Sequence, residues 1–231
     1  MMIKRLQMLV SGATAQGVTT MRHTLVTTVL LATVLHDGGC SDRASPAPPE
    51  RAAPSDRELV QRGEQLVRQG GCADCHTPMR FDPQLGMPIP IRERALSGHP
   101  EGAPEPSASP GSGDQAVIGP TFTSFKTPFG VVFSSNLTPD DETGLGRWSA
   151  AQFIAALRTG KHGGERTNRP ILPPMPWANI GSSSDDDLSA MFRYLQSVAP
   201  IKNRVTEPRV APEALRAIAR SHELAAATHV H

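Results

Sequence analysis

Cys72-Ala73-Asp74-Cys75-His76 is the run in this chain whose residue types and spacing point to a specific chemistry. Two thiols separated by two residues match the spacing of the two vinyl groups of a haem. Each thiol can add across one vinyl to give a thioether, and the adjacent imidazole then lies under the iron as proximal ligand. Other uses of a close cysteine pair fit less well. A dithiol redox motif needs a strand–helix–strand setting, which the surrounding pattern lacks. A structural zinc site needs a second ligand pair, and no cysteine follows Cys75. The third cysteine, Cys40, leaves an odd count and a poor disulfide framework. The motif therefore predicts one covalently bound haem c held by Cys72, Cys75 and His76, and it assigns no catalytic residue.

A haem iron that passes electrons takes a second axial ligand. Downstream candidates are Met79, Met87, Met175, Met191, His99 and His162. Met79 lies three residues past His76 and cannot reach the opposite haem face. Met87 and His99 belong to a Pro-rich stretch, Met191 sits on the apolar stripe of a helix, and His162 follows a helix end among glycines. Met175 stands in Pro173-Pro174-Met175-Pro176-Trp177. Flanking prolines restrict φ and remove backbone donors, so the segment is expected to be extended and stiff, a good way to present one thioether. Met175 is the expected sixth ligand, and His/Met ligation raises the potential and leaves no open position for oxygen chemistry. The Trp177 indole N–H could reach a haem propionate. Arg147, Arg158, Lys161, Arg166 and Arg169 cluster in the same stretch and could offset propionate charge, with none singled out.

The elements that must position these groups are sparse. Hydrophobic residues make up 38% and aromatics 4% of the 231 residues, with 22 Pro and 20 Gly. So lean a chain either leaves long stretches uncored or gains apolar bulk from a prosthetic group. The formal charge of +1 excludes a basic field for nucleic acid. Residues 21–40 read as an export signal, a short basic start and an apolar core of about a dozen residues, too short to span a bilayer. Residues 1–20 read as a non-native extension ahead of a start at Met21. Asp37-Gly38-Gly39-Cys40 resembles a lipoprotein cleavage site, although Asp37 stands where such sites prefer an aliphatic residue; Cys40 is either a lipid anchor or a stray cysteine.

A Pro/Ala/Ser linker over 41–56 precedes the folded part. Ser55 and Glu58 form a capping box, and Leu59, Gly63, Leu66 and Val67 share one helical face before Gly70-Gly71 stops it. Residues 77–120 hold nine prolines and six glycines and read as a long irregular loop, flexible over 100–113. A second capping box, Ser149 with Gln152, opens a short helix over Phe153, Ile154 and Leu157. Ser184 followed by three aspartates opens a third helix, buried through Leu188, Met191, Phe192 and Leu195. A loose helix is expected over 213–226, and no strand pattern stands out.

These blocks resemble a known family. Arg62-Gly63, Gly71 to Pro78, Asn136-Leu137-Thr138-Pro139-Asp140, Gly144-Leu145-Gly146-Arg147-Trp148-Ser149, Pro173 to Trp177 and Asp187-Leu188…Tyr194-Leu195 are similar, in order, to monohaem class I-type bacterial cytochromes c that accompany periplasmic dehydrogenases. The resemblance covers about 57–202, taken as the domain, with 203–231 a tail that lacks a counterpart. It implies an all-α cytochrome c-like fold of few short helices around the haem, in which the first and last helices cross, Gly63 allowing close approach near Tyr194. It carries over Cys72, Cys75, His76 and Met175 as haem residues.

The function so implied is one-electron transfer by an exported or periplasmic protein, as a carrier or the cytochrome subunit of an oxidoreductase, and not catalysis. Its partner would be a dehydrogenase, an oxidase or another cytochrome, with no nucleic acid, and a membrane only through Cys40. The alternative is a haem-based sensor or ligand-binding module with a weak sixth ligand. A peroxidase of the di-haem kind would need a second attachment motif, which is absent.

Overall fold

A computed structural model of the chain describes residues 53–108, 114–164 and 168–228. The export signal, Cys40 and nearly all of the linker lie outside the described residues, as do 109–113 of the Gly/Pro stretch, Arg166 and the last three residues.

Two capped helices make the frame. Helix α1 (Asp56–Gln69) opens on the complete Ser55/Glu58 capping box, and Gly71, at φ +63°, turns the chain out of it. Helix α5 (Asp185–Ser197) starts where the Ser184 hydroxyl accepts the Asp187 N–H at 3.1 Å, with three aspartates at the positive end of its dipole. The two cross face to face at Gly63, which rests directly on the Ala190 carbonyl and beside Tyr194. Ion pairs Arg62–Asp187 and Arg193–Asp56 flank the crossing, but they are solvent-exposed and contribute little. Helix α2 (Cys72–His76) is one turn, packed on the end of α1. Helix α3 (Ala150–Thr159), capped by Ser149 and Gln152, ends at Gly160 (φ +65°). It packs on α5 and on the short α4 (Trp177–Gly181), and Val67, Leu157, Trp177, Leu188, Met191 and Leu195 join in the main core.

The expectation of an all-α fold needs correction. Residues 77–135 carry strands β1 (Met79–Asp82), β2 (Met87–Pro90), β3 (Val117–Ile118), β4 (Ser124–Thr127) and β5 (Gly130–Phe133). β1 and β2 form a separate antiparallel hairpin, and β3-β4-β5-β6 form a four-stranded antiparallel sheet whose last strand, β6 (Arg209–Val210), comes from near the C-terminus. Strands of two to four residues are too short for alternation to register in sequence. Pro88 and Pro90 are tolerated in β2 because a two-stranded hairpin leaves each strand an open edge where a missing N–H is not felt. The 77–108 stretch folds around buried Leu96, Ser97 and His99.

The segment after residue 202 is folded onto the body. Asn203 is buried; its amide donates to the Ser97 and His99 carbonyls at 2.7 and 2.9 Å and accepts from Arg94 and from the Glu101 N–H. Helix α6 (Pro212–Thr228) lays Leu215 and Ile218 against Phe125, Val132 and Leu172 in a second apolar cluster.

Candidate functional site

His76 ends α2 and is buried, at 8% exposure. Its Nδ1 lies 2.7 Å from the Ser135 carbonyl oxygen, which can only accept, so Nδ1 carries the proton and Nε2 keeps its lone pair. A ligating imidazole is oriented in this way by its other nitrogen. Ser135 is held in turn by the loop that follows it. Asn136 donates to the Ile201 carbonyl at 2.8 Å and accepts from the Thr138 hydroxyl at 2.7 Å and N–H at 3.0 Å. The Asp140 carboxylate accepts from the Thr143 and Glu142 amides. The Leu137 N–H donates to the Leu96 carbonyl. The Asn136–Asp140 block thus fixes the carbonyl that fixes His76.

The thiols have opposite exposure, Cys72 half-buried and Cys75 exposed, and both are free. Burial, with a small contribution from Asp74, pushes the Cys72 thiol up to about 11, and burial then Asp74 raise Cys75 as well. Dithiol redox catalysts work through a depressed thiol pKa, and this pair shows the reverse. Among the described residues no group of three His, Cys, Asp or Glu side chains could hold a metal ion, so a zinc site has no ligand set here.

Cys72, Cys75, His76 and Met175 line one cavity of about 650 Å³. Its lining is mainly apolar, including Phe125, Val132, Leu145, Phe153, Leu157 and Leu195, and also takes in polar Asn136, Arg169, Arg204 and Glu207. Of the other candidate ligands, Met191 and His162 reach the cavity, Met191 as a buried core residue and His162 edge-on against Trp148 at 5.5 Å. Met79 is paired in β1, Met87 is exposed, and His99 is committed to the Thr123 hydroxyl at 2.9 Å. The Met175 segment is a tight turn instead of the expected extended run, closed by the Met175 N–H on the Leu172 carbonyl at 3.2 Å.

Trp177 does not line the cavity. Its indole N–H donates to His222 at 3.1 Å, so it is not available to a propionate. Arg158 is likewise spent on the Gly181 and Ser183 carbonyls and Asp185. Arg169 is different: it lines the cavity, burial lowers its pKa against a smaller opposing pull from Glu207, and its closest polar contact among the described residues is the Pro170 carbonyl at 3.5 Å. A desolvated guanidinium so weakly partnered fits an anionic group arriving in the cavity. The volume, apolar walls, tethering thiols, oriented imidazole and thioether together fit a haem. Ser135 and His222 escaped sequence reasoning because a backbone acceptor and a lone helical histidine leave no motif.

The histidines set an acid limit on stability. Burial lowers the pKa of His76, His99, His162 and His222, all four described imidazoles. Iron on His76 would take that ring out of the titration and leave three. Their folded pKa lies below the unfolded value of about 6.5, so the unfolded chain binds more protons as pH falls through that region. Their contribution is complete above about pH 7 and declines below about 6.5, by at most ~1.4 kcal/mol per pH unit per histidine. The denaturant midpoint should drop between pH 7.5 and 5.5, a window above the carboxylate titrations; a flat profile would contradict the burial of these rings.

No family model matches the chain. It is similar to three curated proteins among others. One is a nicotinate dehydrogenase component of Pseudomonas putida, 31% identical over 144 residues, covering 62% of this chain and 9% of that protein. Another is the cytochrome c subunit of the quinone-type alcohol dehydrogenase of Gluconobacter oxydans, 26% identical over 161 residues, 69% of this chain and 26% of that protein. A third is the gluconate 2-dehydrogenase cytochrome c subunit of Pantoea cypripedii, 30% identical over 144 residues, 62% and 24%. The chain spans about a quarter or less of the length of these relatives.

Proposed function

We propose that this chain is a one-electron-transfer module carrying a single haem c, tethered by Cys72 and Cys75 and ligated by His76 and Met175. The observation that carries the reading is the convergence of these four side chains, 103 positions apart from Cys72 to Met175, on one apolar cavity with His76 already oriented by Ser135. The bound haem supplies the one-electron couple. The protein does the rest. Ser135 holds the Nδ1 proton, the apolar wall keeps water from the site, and Arg169 offsets a carboxylate of the cofactor. The similarity to cytochrome c subunits of dehydrogenases makes a dehydrogenase the proposed electron donor and the module a non-catalytic subunit or carrier. Export follows from the signal-like 21–40 segment, with anchoring through Cys40 decided by mass spectrometry of the mature N-terminus.

Spectroscopy of the protein made with haem-attachment machinery tests the ligand set. Wild type should be low-spin with a methionine–iron charge-transfer band in the oxidised form. Met175→Ala should lose that band and lower the reduction potential by on the order of 0.1 V or more, within the roughly 0.8 V that axial ligands command. An unchanged low-spin spectrum in Met175→Ala would transfer the sixth position to Met191 or His162.

A further inference from the structure

The C-terminal helix reaches Trp177 and the end of α3 through one buried polar side chain. His222 is buried at 6% exposure; its Nε2 faces the Trp177 indole Nε1 at 3.1 Å, and its Nδ1 stands 3.1 Å from the Gly160 carbonyl. An indole nitrogen can only donate and a carbonyl can only accept. Nε2 is therefore the lone-pair nitrogen, Nδ1 carries the proton, and the neutral ring relays between α4 and the end of α3. The two rings also pack at 4.7 Å between centroids. Gly160 makes room for them: a Cβ there would fall 2.6 Å from Trp177 Cε2 and 2.8 Å from His222 Nδ1.

Trp177 follows Met175 by two residues. Within Pro173-Pro174-Met175-Pro176 only Met175 has a backbone N–H, and that one hydrogen bond, to Leu172, is at 3.2 Å. Backbone pairing therefore holds the segment thinly, and its downstream end is fixed by the burial and bonding of Trp177.

We propose that His222 is a positioning residue for the Met175 segment: α6 straps Trp177 to the Gly160 corner and so holds the thioether at the cavity. This makes the segment after residue 202 part of the redox module. The spectroscopic half of the test rests on Met175 as ligand; the strap itself does not.

The test uses the full-length holoprotein with His222→Leu and His222→Gln. Amide exchange at Met175, measured by NMR in the reduced protein, reads the strap without reference to the iron. The methionine–iron band and reduction potential read its consequence. In His222→Leu, Met175 exchange should accelerate about tenfold or more, the scale of one net hydrogen bond, with a weakened band and a lowered potential. Glutamine can accept from the indole and donate to the carbonyl, and should restore all three. Unchanged exchange and band in His222→Leu overturn the proposal, and so does failure of glutamine to restore either. If Met175→Ala shows that Met175 is not the ligand, the exchange rates alone decide the strap. Should His222→Leu not fold, Trp177→Phe keeps the ring, deletes the N–H and is judged by the same Met175 exchange, where no acceleration overturns the proposal.

Discussion

Replacing both Cys72 and Cys75 by serine is expected to abolish the haem signal that otherwise survives denaturing electrophoresis. Each thiol can form one thioether, and among the described residues these are the only cysteines. Either single variant keeps one attachment and should still stain, more weakly. Burial raises both thiol pKa values, the reverse of the depressed values that suit thiol–disulfide exchange. The double variant should also lose stability. Phe153, Leu157, Met191 and Leu195 belong both to the main core and to the wall of the 650 Å³ cavity, so without a tethered group part of the core faces a void or water. The loss should be comparable to losing a native cross-link in a small exported domain, roughly 2–5 kcal/mol. Thermal unfolding of wild type and double variant measures it. A wild-type protein that shows no haem after denaturation would sink both this prediction and the proposed function.

The second large effect is expected where α1 crosses α5. At Gly63, two effects oppose. Alanine in a helix interior gains about 1 kcal/mol over glycine. Against that, an added Cβ would lie on the Ala190 carbonyl oxygen, 2.6 Å from its carbon and 2.8 Å from Tyr194 Cβ. The obstacles are backbone and a Cβ, which cannot rotate away, so the helices must separate. Overpacking of this kind costs about 1–3 kcal/mol and more where the neighbours are rigid. Crowding wins. Gly63→Ala should destabilise the domain by about 2 kcal/mol net, lowering Tm by several degrees. A variant as stable as wild type would mean that α1 and α5 do not meet as closely as described.

Sequence and structure divide the protein along physical lines. Helix starts were legible because caps are local: Ser55 with Glu58, Ser149 with Gln152, and Ser184 before its aspartates each act within one turn, and all three form. The buried face of α5 was legible because one periodicity spans thirteen residues. The attachment motif was legible for the same reason, its chemistry being contained in five adjacent residues. The close approach at Gly63 came from family resemblance, and the structure shows it.

What escaped the sequence depends on partners distant in the chain. The four-stranded sheet takes β6 from 209–210 to complete strands at 117–133, and pieces so short carry no pattern of their own. Trp177 was expected to offer its N–H to a propionate, but α6 brings His222 from 45 residues away to accept it. Among five basic residues of similar standing in sequence, only the fold separates Arg158, bonded to carbonyls and Asp185, from Arg169, desolvated at the cavity. The residues from Cys72 to His76 by themselves determine the chemistry that can occur, since thiol, imidazole and spacing are covalent properties of a short run. Tertiary structure decides which carbonyl aims His76, which side chains share its cavity and which cation stands near, because each of these is a contact between segments that only packing brings together.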